Sequence, residues 1–332
     1  ALYLFPTKAL AQDQLSSLRQ ITARLKTPSD RSTQIQAAVY DGDTPSSQRP
    51  SIRQTSRLIL TNPDMLHAGI LPYHTRWSHF FASLRFIVID EMHTYRGVFG
   101  SHVANVLRRL RRIAHFYGAD PQFILTSATI KNPKELAEGL IEAPTEVIAD
   151  DASARGEKHF VIYNPPVVDH ELGLRKSALQ ESLRLIGDLQ HYHLQSLVFV
   201  RSRRSVEMLL RQMQQESGQQ PGASIASVKG YRSGYLPGER RQIEAGLRDG
   251  TARTVIATNA LELGIDIGGV SAAILVGFPS SIAAAWQQAG RAGRHDDPSL
   301  AVLLTSANPI DQFIARHPEY FFDRTPEQAL LN

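Results

Sequence analysis

The chain has 332 residues, with 36 Lys plus Arg against 32 Asp plus Glu, a net charge of +4 at pH 7 and no cysteine. Hydrophobic residues make up 42% and charged residues 20%, which sets it apart from disordered chains and leaves apolar material for two domain cores. Disulfides and thiolate metal sites are excluded, a reducing cytosol fits, and no apolar run approaches the roughly 20 residues of a membrane span. The mild basicity fits a polyanion partner without requiring one.

The first residues, Ala1-Leu2-Tyr3-Leu4-Phe5-Pro6, carry no initiator methionine, basic segment or cleavage site, and read as the middle of a buried strand. Truncation at the N-terminus is therefore expected. Short apolar runs then alternate with helical patterns, the signature of a parallel sheet covered on both faces. Strands are expected at Leu2–Phe5, Ala37–Tyr40, Arg57–Thr61, Phe86–Asp90 and Gln122–Ser127, and helices at Leu10–Leu25 and Ser101–Tyr117. In the second of these helices Val103, Val106, Leu107, Leu110 and Ile113 form one apolar stripe, and four arginines take the other faces.

The segment 149–158 has no periodicity and little to bury, and reads as a linker. Beyond it, strands are expected near Phe160–Tyr163, Gln195–Val200, Ser224–Val228, Thr254–Ala257, Ala272–Val276 and Ala301–Leu304. Helices are expected near Lys176–His191, Ser205–Glu216, Glu239–Asp249 and Ile282–Ala289. The fold class is α/β, two tandem parallel-sheet domains: 1–150, a linker at 151–158, and 159–332.

Two segments carry chemistry. Ile87-Val88-Ile89-Asp90-Glu91-Met92-His93 is an apolar strand ending in adjacent carboxylates, where ligands of open parallel sheets bind. Phosphoryl transfer to water needs a magnesium ion bridging the outer phosphates and a carboxylate to orient the water. Asp90 suits the first role, through a coordinated water, and Glu91 the second; a helix cap or solvated turn is the plain alternative. His93 as a zinc ligand finds no partner spacing. The second segment, Gln287-Gln288-Ala289-Gly290-Arg291-Ala292-Gly293-Arg294, sets two arginines three apart between glycines that let the backbone come close, a device for gripping a polyphosphate.

With Thr126-Ser127-Ala128-Thr129 between them, these segments resemble a superfamily 2 helicase core of the DEAD/DEAH-box type, whose domains are RecA-like. Phe5-Pro6-Thr7-Lys8-Ala9-Leu10-Ala11 is similar to motif Ia, Thr61-Asn62-Pro63-Asp64-Met65-Leu66 to motif Ib, Asp90–His93 to motif II and Ser127–Thr129 to motif III. Val198-Phe199-Val200-Arg201-Ser202 is similar to motif IV, Thr258–Asp266 to motif V and Gln287–Arg294 to motif VI. Within that superfamily Tyr40–Pro45, Glu91–Ser101, Asn164-Pro165-Pro166 and Arg316–Phe322 look like the bacterial MrfA/YprA group of DNA repair helicases.

The resemblance implies ATP and Mg2+ as cofactors, 3′-to-5′ movement on single-stranded DNA, a role in repair, and a place in the bacterial cytoplasm at the nucleoid. It implies that Arg291 and Arg294 reach across to the γ-phosphate as arginine fingers, with Gln287 monitoring the nucleotide and Gly290 and Gly293 allowing close approach. Asp266, after the turn at Gly264, would bond the ribose. His93, Ser127 and Thr129 would couple the nucleotide to the strand-binding face. Thr7, Lys8, Asn62, Arg201, Lys229 and Thr258 match positions near the nucleic acid, held chiefly by its phosphates. Asp64 is expected to cap a helix, Phe199 to be core, and Tyr231, Arg232 and Tyr235 either to stack bases or to pack as a loop.

The sequence departs from the family in one way that matters. No Gly-Lys pair occurs in it, whereas the family's phosphate loop carries one before motif Ia. The strand at the sheet centre is then expected to be missing, with apolar edges unpaired, and the segment alone is expected to be inactive. The family's C-terminal cysteine cluster is absent as well, so the chain reads as an internal segment of a longer helicase. An RNA helicase is a second reading, opposed by His93 where those enzymes carry aspartate. A non-catalytic nucleic-acid-binding scaffold is a third, decided by the sequence upstream of Ala1.

Overall fold

The computed structural model describes residues 1–24, 35–150, 156–217, 227–265, 267–293 and 298–332. These form two compact units, Ala1–Ala149 with Gln328–Asn332, and Asp150–Glu327.

The first unit is built on β1 (Leu2–Leu4), α1 (Lys8–Arg24), β2 (Ala37–Val39), α2 (Arg49–Thr55), β3 (Leu58–Thr61), α3 (Pro63–Met65), α4 (Ser78–Ala82), β4 (Phe86–Ile89), α5 (Gly97–Phe116), β5 (Gln122–Leu125) and α6 (Pro133–Ile141). A π turn and a 3-10 stretch carry the chain from Leu66 to Trp77 between α3 and α4. The strands run parallel in the order β2-β3-β1-β4-β5. Strand β1 pairs on both sides, Leu2 with Ile59 and with Ile87. Apolar Leu2 and Leu4, both about 1% exposed, thus form the centre of the sheet, while among the described residues β5 pairs with β4 alone and leaves Ile124 44% exposed.

Helix α5 lays Val103, Leu107, Leu110 and Ala114 onto the core while Val106 and Ile113 flank it half-buried. Truncating one fully buried leucine there to alanine would cost about 2–5 kcal/mol. Three of its arginines have partners, Arg109 meeting His67 Nδ1 at 2.8 Å and two reaching the end of α6. Arg111 donates to the carbonyls of Ile141 and Glu142, and Arg108 pairs with Glu142 at 2.8 Å. Both satisfy or complement the C-terminal end of α6, where carbonyls lack helical partners.

The second unit contains β6 (Lys158–Tyr163), β7 (Val167–Asp169), β8 (Leu174–Arg175), α7 (Ala178–His191), β9 (Ser196–Val200), α8 (Arg203–Ser217), β10 (Val228–Tyr231), α9 (Pro237–Asp249), β11 (Thr254–Ala257), β12 (Ala272–Val276), α10 (Ile282–Ala289), β13 (Ser299–Leu304), α11 (Pro309–Arg316) and α12 (Pro318–Phe322). Its main sheet runs β10-β11-β9-β12-β13-β6, all parallel, with separate apolar clusters on its two faces. The strands β9, β11 and β12 are buried along their length, which is why they read as unbroken apolar runs. The strand expected at 224–228 lies instead at Val228–Tyr231, and 224–226 fall outside the described residues. The hairpin β7-β8 was not anticipated.

The last five residues leave the domain to which the sequence assigned them. The side chain of Asn132, 7% exposed, accepts from Ala329 N–H at 2.8 Å and donates to its carbonyl at 2.9 Å. Gly97 N–H donates to Leu330 O at 2.6 Å. One residue before this tail, Glu327 accepts from Ile282 and Ala283 N–H at the start of α10, where a carboxylate meets free amides and the positive end of the helix dipole. No described helix is long and apolar enough to cross a membrane.

Candidate functional site

In the first unit parallel register sets Ile89 opposite Leu125, so the next residues, Asp90 and Thr126, leave the sheet side by side. Thr126 Oγ1 donates to Asp90 Oδ1, which also accepts the Glu91 N–H at 3.0 Å. Both bonds go to one carboxylate oxygen, and among the described residues the lone pairs of the other remain for a ligand. Glu91 takes a left-handed backbone, φ 51°, which costs a non-glycine residue about 1–2 kcal/mol. Strain of this kind gathers at functional sites. Around Glu91 the turn is closed by Met92 N–H to Thr126 O and Thr94 N–H to Glu91 O, both 2.9 Å.

His93 is 8% exposed, and its Nδ1 accepts the Ala128 N–H at 3.2 Å. Burial, with Arg96 adding to it, lowers its pKa from 6.5 to about 4. The ring is therefore neutral at pH 7 with its proton on Nε2. Glu91 Oε2 lies 3.5 Å from the same Nδ1, which in that tautomer is an acceptor, so the pair is no salt bridge. Motif II thus meets motif III through Thr126–Asp90 and Ala128–His93. Ser127 turns its hydroxyl to the Ala128 carbonyl, and Thr129 is exposed. The sequence assigns Thr126 no role of its own, because it stands one residue before the triplet that resembles motif III.

Thr7 Oγ1 accepts from Leu10 N–H at 3.3 Å, and Asn62 Oδ1 from Met65 N–H at 2.8 Å. Each caps a helix start, and the second cap is Asn62 rather than Asp64, which is exposed. Lys8 pairs with Asp43 at 2.8 Å, both well exposed. Lys8, Arg49, Arg53, Asn62, Tyr73 and Arg76 are among the residues lining one cavity of about 750 Å³. Three arginines and a lysine in one hollow suit an anion.

In the second unit the double-arginine segment ends α10. Gly290 has an ordinary helical φ of −63°, so its φ does not demand glycine, although an added Cβ would lie 3.0 Å from the Trp286 carbonyl. Gly293 does demand it: its φ is 78°, and a Cβ there would fall 2.3 Å from Ser299 Oγ. Its bareness serves packing against β13. Arg291 donates to the carbonyls of Ile265 at 3.0 Å and Glu262 at 2.7 Å, and Gln288 Nε2 to Glu262 Oε2 at 3.0 Å. The structure therefore joins motif VI to motif V, with Gly264 half-buried between those carbonyls and Gln287 half-buried on α10. Asp266 and Arg294 lie outside the described residues.

Of the expected nucleic-acid residues here, Lys229 is exposed on β10 and Thr258 is buried to 8% exposure. Arg201, side chain 46% exposed, leaves β9 and pairs at 2.6 Å with Asp311, which is wholly buried. Asp311 was missed because nothing near it in the sequence forms a motif. Phe199 is core, 3% exposed. Tyr231 is no stacking platform, being 1% exposed with its hydroxyl on Glu244 at 2.6 Å. Tyr235 carries the Arg232 guanidinium 4.8 Å above its ring, a cation–π contact.

Residues 1–136 match the DEAD/DEAH box helicase family and 176–296 the helicase conserved C-terminal domain. The chain is 52% identical over its whole length to the ATP-dependent helicase YprA of Bacillus subtilis (strain 168), of which it covers 43%. A crystal structure of the DUF1998 helicase MrfA bound to DNA and AMPPNP matches all of this chain and 45% of its own, with a TM-score of 0.92 and 52% identity. The Mycobacterium smegmatis helicase Lhr bound to single-stranded DNA and AMP-PNP matches 97% of this chain and 42% of its own, at a TM-score of 0.76 and 28% identity. The chain thus spans less than half the length of these relatives. Two parallel-sheet RecA-like units, the Asp90–Thr126 and His93–Ala128 links, and the Arg291 tie from motif VI to motif V accompany those matches. The chain belongs to the superfamily 2 helicases of the DEAD/DEAH-box type, as a helicase core of the MrfA/YprA kind.

Proposed function

We propose that this chain is the motor core of an ATP-dependent DNA helicase that moves 3′ to 5′ on single-stranded DNA, in repair, at the nucleoid of a bacterial cytoplasm. One observation carries this: a strained Asp90-Glu91 turn, braced by Thr126, in a chain matched along its whole length by MrfA bound to DNA and AMPPNP. In this reading residues 1–150 are the nucleotide-binding domain, 151–158 the linker, of which 151–155 lie outside the described residues and Lys158 already opens β6, and 159–332, less the last five residues, the second motor domain.

A single carboxylate beside nucleotide phosphates is how magnesium is commonly held in such enzymes, and the unengaged oxygen of Asp90 fits that use through a water. ATP with Mg2+ would supply the phosphoanhydride that is cleaved and the charge that places it. Glu91 would orient the attacking water and take up its proton. Arg291 and Arg294 would neutralise charge on the outer phosphate; for Arg291 this means exchanging the Ile265 and Glu262 carbonyls for phosphate oxygens. Gln287, Gly264, Asp266, Gly290 and Gly293 would border the nucleotide. His93, Ser127 and Thr129 would couple its state to DNA held by Thr7, Lys8, Asn62, Arg201, Lys229 and Thr258. The phosphate grip does not fit the residues present, since no Gly-Lys pair occurs. Turnover accordingly requires a phosphate loop from outside these 332 residues, and this segment alone would be inactive.

The test is ATPase of the full-length protein with single-stranded DNA or RNA, and unwinding of duplexes with a 3′ or a 5′ tail. Stimulation by DNA and a need for the 3′ tail are expected. Stimulation by RNA alone would overturn the substrate, and unwinding from the 5′ tail the direction. Binding without any ATPase would leave a scaffold.

A further inference from the structure

The buried Asp311 has no place in the motifs, and its surroundings show what it does. It is 0% exposed, and an ionised carboxylate so buried is tolerated only when its oxygens are filled. Oδ2 accepts from Ser306 N–H at 2.8 Å and Ser306 Oγ at 2.6 Å. Oδ1 accepts from Phe278 N–H at 3.1 Å and from Arg201 Nη2 at 2.6 Å. The same Nη2 also donates to Phe278 O at 2.6 Å.

Beneath the guanidinium lies Gly277, with φ 83°, where an added Cβ would come within 2.9 Å of Nη2 and 3.0 Å of Nε. The arginine is therefore clamped in one plane, by a charge on one edge and a bare backbone below. Among the described residues the clamp engages Nη2 alone. The Nε and Nη1 donors belong to a side chain that is 46% exposed, and guanidinium N–H groups are well matched to phosphate oxygens.

We propose that Asp311 is a positioning residue for DNA binding: together with Gly277 it holds the Arg201 guanidinium in the one orientation that presents its remaining donors to a strand phosphate. This rests on the reading of Arg201 as a DNA contact. An arginine on a flexible stem loses side-chain entropy on meeting a phosphate, and here the fold has already restrained it.

The experiment measures single-stranded DNA binding by the full-length protein against salt, for wild type, R201A, D311N, G277A and the R201A/D311N double variant. Each single-strand phosphate contact contributes about 0.7 to the slope of log K against log salt. R201A is expected to lower the slope by that amount and to weaken binding about tenfold. D311N and G277A should reproduce both changes, and D311N in the R201A background should add nothing. G277A leaves the Asp311 carboxylate itself unaltered and places a Cβ against the guanidinium, so it gives a second reading if D311N folds poorly. A purely structural Asp311 would lower thermal stability without moving the salt slope, and its effect on affinity would persist in the R201A background; either result overturns the proposal. An unchanged slope in R201A alone would instead remove Arg201 from the DNA path, and the positioning role with it.

Discussion

Acid should loosen the first unit through His93. The buried ring has a pKa of about 4 against 6.5 when exposed, so between those values the unfolded chain binds a proton that the folded one refuses. Stability from this group is complete above pH 6.5, falls as the pH drops through that value, and levels off below about 4. At pH 5 the two values correspond to about 2 kcal/mol, an opening equilibrium shifted about 30-fold. Hydrogen exchange of the amides in β4 and β5 at about pH 5 and about pH 7.5, corrected for intrinsic exchange, reads that equilibrium. The control is His93→Asn, whose side-chain oxygen can accept the Ala128 N–H now taken by Nδ1 but which cannot be charged. The variant should lose most of the pH dependence. Equal pH dependence in wild type and variant would show that His93 is not the group refusing the proton, and would remove the basis for assigning it a fixed neutral tautomer.

The catalytic assignments are tested in the full-length protein by steady-state ATPase and nucleotide binding. Glu91→Gln should abolish hydrolysis and preserve ATP binding; ordinary turnover would remove Glu91 from its role. Arg294→Ala should slow hydrolysis about a thousandfold if it acts as arginine fingers do elsewhere, and an unaltered rate would take it out of the site. Thr126→Ala removes a hydroxyl that donates to Asp90 Oδ1. Hydrogen bonds to charged groups contribute about 1.5–3 kcal/mol, so turnover should fall about tenfold or more with a raised requirement for Mg2+. A change in thermal stability with Mg2+ dependence untouched would make Thr126 a packing residue only.

What could be read from the sequence follows from how far each determinant reaches along the chain. The strands β11 and β12 and the helix α10 came out at their observed bounds, because burial on both sheet faces or one apolar helix stripe is written into neighbouring residues. Asp90 and Glu91 were legible for the same reason, as polar residues ending an apolar run. Partnerships between distant residues were not. Arg201 stood out inside a motif, yet its partner Asp311 is 110 residues away, on a helix whose pattern looks like any other. Arg291 announced a charge, but its hold on the Ile265 and Glu262 carbonyls depends on backbone atoms that every residue has. The return of Gln328–Asn332 to the first unit likewise uses the backbone of Ala329 and Leu330, seized by Asn132 and Gly97. The order of the strands in the first sheet was beyond the sequence for a related reason. Strand order is set by which edges pair, and an apolar strand such as Leu2–Leu4 will fill a central slot between β3 and β4 wherever its register and burial allow. A motif fixes which residues meet a ligand; the residues that aim them are chosen by three-dimensional proximity, and for that reason Asp311 and Thr126 are the positions where mutation should be most informative.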